Sequence, residues 1–156
     1  MSKYASTTSV STDTSRNEIE KTLKRYGAKS FAYATQEDKA LIMFEYNGKR
    51  IRFILGLPNI NDKRFTHTPS RGTLCSKESQ IQEHEQACRQ KWRALLLVIK
   101  AKLEAVESGI SIFEEEFMAN IMLPNGQTVG EYVLPQVETA YLTNTLAPMI
   151  DFGKKE

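Results

Sequence analysis

Residues 63–73 contain many cationic and hydroxyl side chains, a combination suited to binding phosphate. Arg64, Thr66 and Arg71 lie there beside Lys63. Arginine presents a fork of N–H donors that matches phosphate oxygens, and a threonine hydroxyl adds a further donor. The segment is also rich in Ser, Thr, Gly and Pro, as surface loops generally are. The composition therefore predicts either a phosphate-binding loop or an ordinary surface connection.

Four of the arginines outside this loop could join it in binding phosphate. Arg50 and Arg52 alternate with apolar residues and share the polar face of a predicted strand, with Glu45 placed across from Arg50. The other two are one turn apart on a predicted helix, where side chains four residues apart share a face. Surface arginines of this kind are often simply solvated or paired, at little energetic gain. As the functional alternative we predict one phosphate-binding set: Arg50, Arg52, Arg64, Thr66, Arg71, Arg89 and Arg93.

The overall charge does not decide between these alternatives. The formal net charge is +2 and the isoelectric point is near 8.5. Such a mild excess does not imply a nucleic-acid partner, so the inference depends on where the cations cluster. Only Phe65 and Trp92 are interleaved with them, which gives little support to a platform for base stacking.

Metal-binding and catalytic patterns are weak in this sequence. Cys75, Cys88, His67 and His84 lack the spacings of zinc sites or metalloproteases. No nucleophile elbow is present. We therefore predict a protein without enzymatic activity, metal or cofactor, and with both thiols reduced.

Two predicted strands, residues 40–46 and 49–55, flank Asn47-Gly48, the clearest structural signal in the chain. This dipeptide favours a type I′ turn, and a two-residue loop fixes the strand register. Tyr46 should pair with Lys49, and the pairing should continue down both strands. Alternation then places five apolar residues on one buried face: Ile42, Phe44, Ile51, Phe53 and Leu55. Residues 30–35 predict a third strand, which completes a meander.

Helical patterns surround this sheet. Capping boxes are predicted at Ser15, Ser111 and Thr128, each with Glu three residues later. Ser76 or Ser79 should begin a long amphipathic helix reaching about residue 107, with Gly109 beyond its end. Its predicted core stripe contains Ile81, Cys88, Trp92, Leu95, Leu96, Ile99, Leu103 and Val106.

These elements predict an α+β fold with an N-terminal helix, a three-stranded antiparallel meander, a long amphipathic helix and short C-terminal helices. We expect a disordered tail over residues 1–13, a single domain over residues 14–142 and a loose tail over residues 143–156. No apolar run approaches the ~20 residues of a membrane span, and the N-terminus lacks an apolar signal region. The expected location is the cytoplasm.

Parts of the chain resemble a known group of proteins. The segment from Arg89 to Ile110, which includes Lys-Trp-Arg-Ala-Leu-Leu-Leu-Val-Ile-Lys, is its most specific part. Residues 16–27, 50–58, 113–123 and 124–131 also contribute. Together they resemble a family of small uncharacterised proteins of tailed phages and prophages. The resemblance implies a bacterial host cytoplasm and brings no defined activity.

The leading functional hypothesis is a non-enzymatic phage protein that binds nucleic acid, DNA or RNA, through a basic loop and sheet face. One alternative is an oligomeric anti-defence protein that sequesters a nucleotide messenger at basic subunit junctions. Another is an inhibitor of a host protein that uses the long helix as its contact surface. No membrane partner is expected.

Overall fold

The computed structural model describes residues 4–146. In chain order the elements are helix α1 (Thr12–Arg25), strands β1 (Lys29–Gln36), β2 (Lys39–Tyr46) and β3 (Lys49–Gly56), and helices α2 (Lys63–Thr66), α3 (Lys77–Glu107) and α4 (Phe113–Glu116), then a 3₁₀ turn (Met118–Asn120) and helix α5 (Val129–Thr143). The predicted α+β fold is confirmed.

The three strands form one antiparallel sheet in the order β1-β2-β3, as the meander predicts. Tyr46 pairs with Lys49, and the predicted register holds down both strands. Asn47 and Gly48 both have positive φ, which is the backbone that a type I′ turn requires. Because the turn is so short, the apolar residues of β2 and β3 fall on one face.

That face is buried against α1 and α3. Ile42, Phe44 and Ile51 are almost fully buried, and α3 contributes five buried side chains: Trp92, Leu95, Leu96, Ile99 and Leu103. Phe113 and Phe117 close one end of the core, with their rings stacked 4.3 Å apart. Ile81 was predicted to join this stripe but is exposed, since the first turns of α3 contact α2 and residues 4–8 instead.

Helices α1 and α3 lie side by side and run in the same direction. Thr12 lies near Cys88, Glu18 bonds Arg93, and Tyr26 donates a hydrogen bond to Glu107. The start of α1 therefore meets the first half of α3, and its end meets the end of α3. This parallel packing brings the polar flanks of both helices onto one surface.

Two predicted caps are wrong. Helix α1 begins one turn before Ser15, because Ser11 accepts the hydrogen bond of the Thr14 amide, and Ser15 is buried inside the helix. Residues 12 and 13, predicted to belong to the tail, thus form its first turn. Ser111 does not cap α4, since Ile112 occupies the cap position with no side-chain hydrogen bond.

The caps at Ser76 and Thr128 are confirmed, and Gly109 has the expected positive φ just after α3. Residues 4–8 lie along α3, where Gln86 donates to the carbonyls of Ser6 and Thr8. Residues 1–3 and most of the predicted C-terminal tail, 147–156, lie outside the described residues.

Candidate phosphate-binding surface

Arg52 is engaged in holding the fold together. Its guanidinium donates to the Glu131 carboxylate at 2.5 Å and to the Gly126 carbonyl at 3.1 Å, and its side chain is only 17% exposed. The Glu131 carboxylate also accepts the Thr128 amide, and this bond, together with Arg52, holds the pKa of Glu131 below its ordinary value. Arg52 therefore ties β3 to the start of α5 instead of facing solvent for a ligand.

Arg64 and Arg89 both lie near Cys88. Arg64 lies over the Phe65 ring at 4.4 Å and 3.8 Å from Asp62, while Arg89 donates twice to the Gln86 amide oxygen. Burial raises the pKa of the Cys88 thiol, and the two nearby guanidinium groups only partly oppose this shift. The thiol is thus kept protonated, which does not suit a nucleophile.

The side chains of the predicted phosphate-binding loop form hydrogen bonds with one another and pack against α3. The Thr66 hydroxyl bonds the His67 ring at 2.8 Å, and the Thr68 hydroxyl bonds Thr73. His84 donates to the Pro58 carbonyl and packs edge-on against the buried Phe65 ring. Several hydroxyls that were expected to face a ligand are therefore used within the loop.

Two of the predicted arginines have no ion pair within residues 4–146. Arg71 is exposed in the loop, and Arg50 is exposed on β3, opposite Glu45 in the register but without an ion pair to it. The two lie on different elements. The seven predicted residues are thus divided among separate surfaces. Four of the arginines, Arg52, Arg64, Arg89 and Arg93, have a carboxylate within 4 Å. Phosphate binding by the whole set therefore stays a prediction.

Arg93 belongs to a different cluster of cations, between α1 and α3. Its guanidinium donates to the Glu18 carboxylate at 2.9 Å, and Lys100 approaches the same carboxylate at 4.0 Å. Beside this pair runs the α1–α3 groove, of about 500 Å³, which is lined by Glu18, Lys21, Thr22, Arg25 and Lys100.

The charge of the α1–α3 groove is mostly positive. Lys21 and Arg25 lie one turn apart on α1, both exposed, and neither forms an ion pair within the described chain. Glu18 is the one carboxylate among the lining residues, and it is shared by Arg93 and Lys100. The groove is therefore lined by three cations and one anion, and Arg93 adds a fourth cation beside it through its ion pair with Glu18.

The predicted phosphate-binding set includes Arg93 of this cluster and lacks Lys21, Arg25 and Lys100. The available signal was helical spacing, because Lys21 and Arg25 are four residues apart and Arg93 and Lys100 are seven apart. That spacing shows which cations share a face on each helix. It does not show that the two faces meet.

Residues 4–146 contain no cluster of three or more His, Cys, Asp or Glu side chains that could hold a metal ion. Within the same residues, no helix is both long enough and apolar enough to cross a bilayer. Comparison with family models, curated proteins and solved structures found no match to this chain. The resemblance to phage proteins accordingly stays a prediction.

Proposed function

We propose that this chain is a non-enzymatic binder of a phosphate-bearing partner, most simply nucleic acid, and that the α1–α3 groove is its binding surface. The observation that carries the proposal is that Lys21, Arg25 and Lys100 line one groove with a single carboxylate, Glu18, whose ion pair with Arg93 places a fourth cation at the edge. The ligand class is unchanged from the sequence hypothesis, but the principal site moves from the loop and sheet face to this groove.

The geometry of the groove suits a run of phosphates more than a single one. Lys21 and Arg25 are separated by a rise of about 6 Å along α1. Their exposed, flexible side chains can reach neighbouring phosphates of one strand. Glu18 holds Arg93 and Lys100 at the other wall, which reduces the side-chain entropy lost on binding.

Exposed cations bind nucleic acid through release of counterions, so the affinity should depend steeply on salt and little on sequence. The groove offers no aromatic ring among its lining residues. Base stacking should therefore contribute little, and single and double strands should bind with similar dependence on salt.

The test is fluorescence anisotropy with labelled single- and double-stranded oligonucleotides over a range of salt concentrations. The groove variant is Lys21→Ala/Arg25→Ala, and the matched control is Lys63→Ala/Arg71→Ala, which removes the same charge from the loop. We expect the groove variant to bind at least roughly tenfold more weakly at low salt, with the salt slope reduced by about 2, and the loop variant to bind as the parent does.

Three results would contradict the proposal: no binding at micromolar protein and low salt, equal losses in the two variants, or a larger loss in the loop variant. Equal losses would indicate attraction by overall charge alone. All four substituted side chains are exposed, so unchanged melting curves should verify that each variant is folded.

A further inference from the structure

Helix α5 projects an apolar surface that the rest of residues 4–146 does not cover. Its first turn packs closely on the 3₁₀ turn, where a Cβ on Gly130 would lie 3.0 Å from the Ala119 carbonyl oxygen. Despite this contact, no residue of the 15-residue helix is fully buried. Leu134 is 61% exposed, Tyr141 86%, Leu142 87% and Leu146 86%.

The apolar residues of α5 follow helical spacing. Val133, Val137, Ala140 and Tyr141 recur at steps of three and four residues and so form one stripe, with Leu134 at its edge. Glu131 and Glu138, seven residues apart, lie outside the stripe, with Glu138 bordering it beside Leu134. There is no Lys or Arg between residues 129 and 143. The stripe therefore carries no charge that would repel an identical stripe.

The exposed area is what a small dimer interface requires. Leu134 and Tyr141 of this face, with Leu146, which lines one cavity with Val137 and Ala140, expose roughly 100–150 Å² each and so give about 400 Å² of mostly apolar surface per copy, whereas Leu142 lies on the other side of the helix. Two copies, with the half-buried Val133, Val137 and Ala140 added, would bury on the order of 1,000 Å² in total, near the lower limit for a specific interface. A helix with no fully buried residue of its own gains most from this contact.

We propose that α5 pairs with α5 of a second copy of this chain, antiparallel, about a two-fold axis near Val137. In this arrangement Val133 meets Tyr141 of the other copy, and the same contact recurs on the opposite side of the axis. The occupant is a second copy because the two-fold axis sets the uncharged stripe against itself over an area near the lower limit for a specific interface.

The experiment measures the mass of the full chain by sedimentation and light scattering, up to protein concentrations on the order of 100 µM, as suits a small interface. The mass should rise from that of one 17.7 kDa chain toward twice that value. Val137→Glu and Val137→Lys each place like charges at the axis and should each give a single-chain mass. Mixed in equal amounts, the two variants should regain the doubled mass, because Glu then meets Lys.

Thr139→Glu is the matched control, since it adds the same charge to the opposite side of the same helix and should leave the doubled mass unchanged. A single-chain mass for the parent at every concentration overturns the proposal and leaves α5 to a different occupant. Loss of the dimer in Thr139→Glu, or no recovery in the mixture of Val137 variants, overturns the two-fold arrangement. Circular dichroism verifies that each variant keeps its helix content.

Discussion

Ser11 caps the start of α1 and Ser15 lies one turn later inside the helix, and the two serines have different roles. The Ser11 hydroxyl accepts the Thr14 amide and so satisfies one of the unpaired N–H groups at the helix start. The Ser15 side chain is fully buried, and its hydroxyl has no hydrogen-bond partner among the described residues. One serine stabilises the helix, whereas the other leaves a polar group unsatisfied.

Alanine at these two positions should therefore change stability in opposite directions. Ser11→Ala should lower the free energy of unfolding by about 1 kcal/mol through loss of the cap. Ser15→Ala should raise it by about 0.5–1 kcal/mol, because alanine has higher helix propensity and removes the unpaired hydroxyl. Urea denaturation of both variants measures the two changes. A loss in Ser15→Ala of the size expected for Ser11→Ala would mean that the helix begins at Ser15.

The sequence alone could not choose between these serines. Ser15 and Glu18 have the spacing of a capping box, a local pattern that is consistent with a helix start at Ser15. What decides is tertiary packing: extending α1 by one turn places Thr12 beside α3 and buries Ser15. Arg52 shows the same limit, since its partner Glu131 comes from an element 79 residues later.

At the scale of elements, the short contact between β3 and α5 depends on a charged pair. Glu131 accepts the Thr128 amide and the Arg52 guanidinium, and Asn120 donates to the Arg52 carbonyl. Apart from these bonds, α5 is held mainly by close packing on the 3₁₀ turn. The attachment of α5 should therefore respond to the ionisation of Glu131.

We expect Glu131→Gln to lower stability at neutral pH. The pKa of Glu131 is lowered in the folded chain from an ordinary value of 4.5, so its stabilisation is present above that value and is lost as the pH falls through the folded pKa. The difference between parent and variant should therefore shrink on acidification. Denaturant unfolding at neutral pH and near pH 3 measures it.

Glu138→Gln is the control for this measurement. Glu138 lies on the same helix and forms no ion pair within residues 4–146, so its substitution should change stability little at neutral pH. If the difference in free energy of unfolding between the parent and Glu131→Gln were the same at neutral pH and near pH 3, the charge of Glu131 would not be what stabilises the contact.

The hairpin and the long helix were predictable because their signals are local. Asn47-Gly48 fixes the register within two residues, and Ser76 and Gly109 bound α3 at both ends. Ile81 was misplaced because periodicity reports a face of a helix and does not report how far its neighbours extend along it. The sequence therefore predicted where single helices and strands begin and end better than it predicted the contacts between them.

For the whole molecule, the candidate site depends on the parallel packing of α1 and α3. Lys21 and Lys100 are 79 positions apart in the chain, and only this packing brings them to one groove. The α5 surface lies on a separate element and does not include any groove residue. Dimer formation and phosphate binding should accordingly be separable by substitution.

The most direct test of the groove is an ¹H–¹⁵N NMR titration of the full chain with a short oligonucleotide at low salt. We predict saturable shifts of the backbone amides of Lys21, Arg25 and Lys100, and little change at Arg50 and Arg71. Raising the salt concentration should reverse the shifts. Shifts centred on the loop around Arg71, or no shifts at any amide, would contradict the assignment of phosphate binding to the α1–α3 groove.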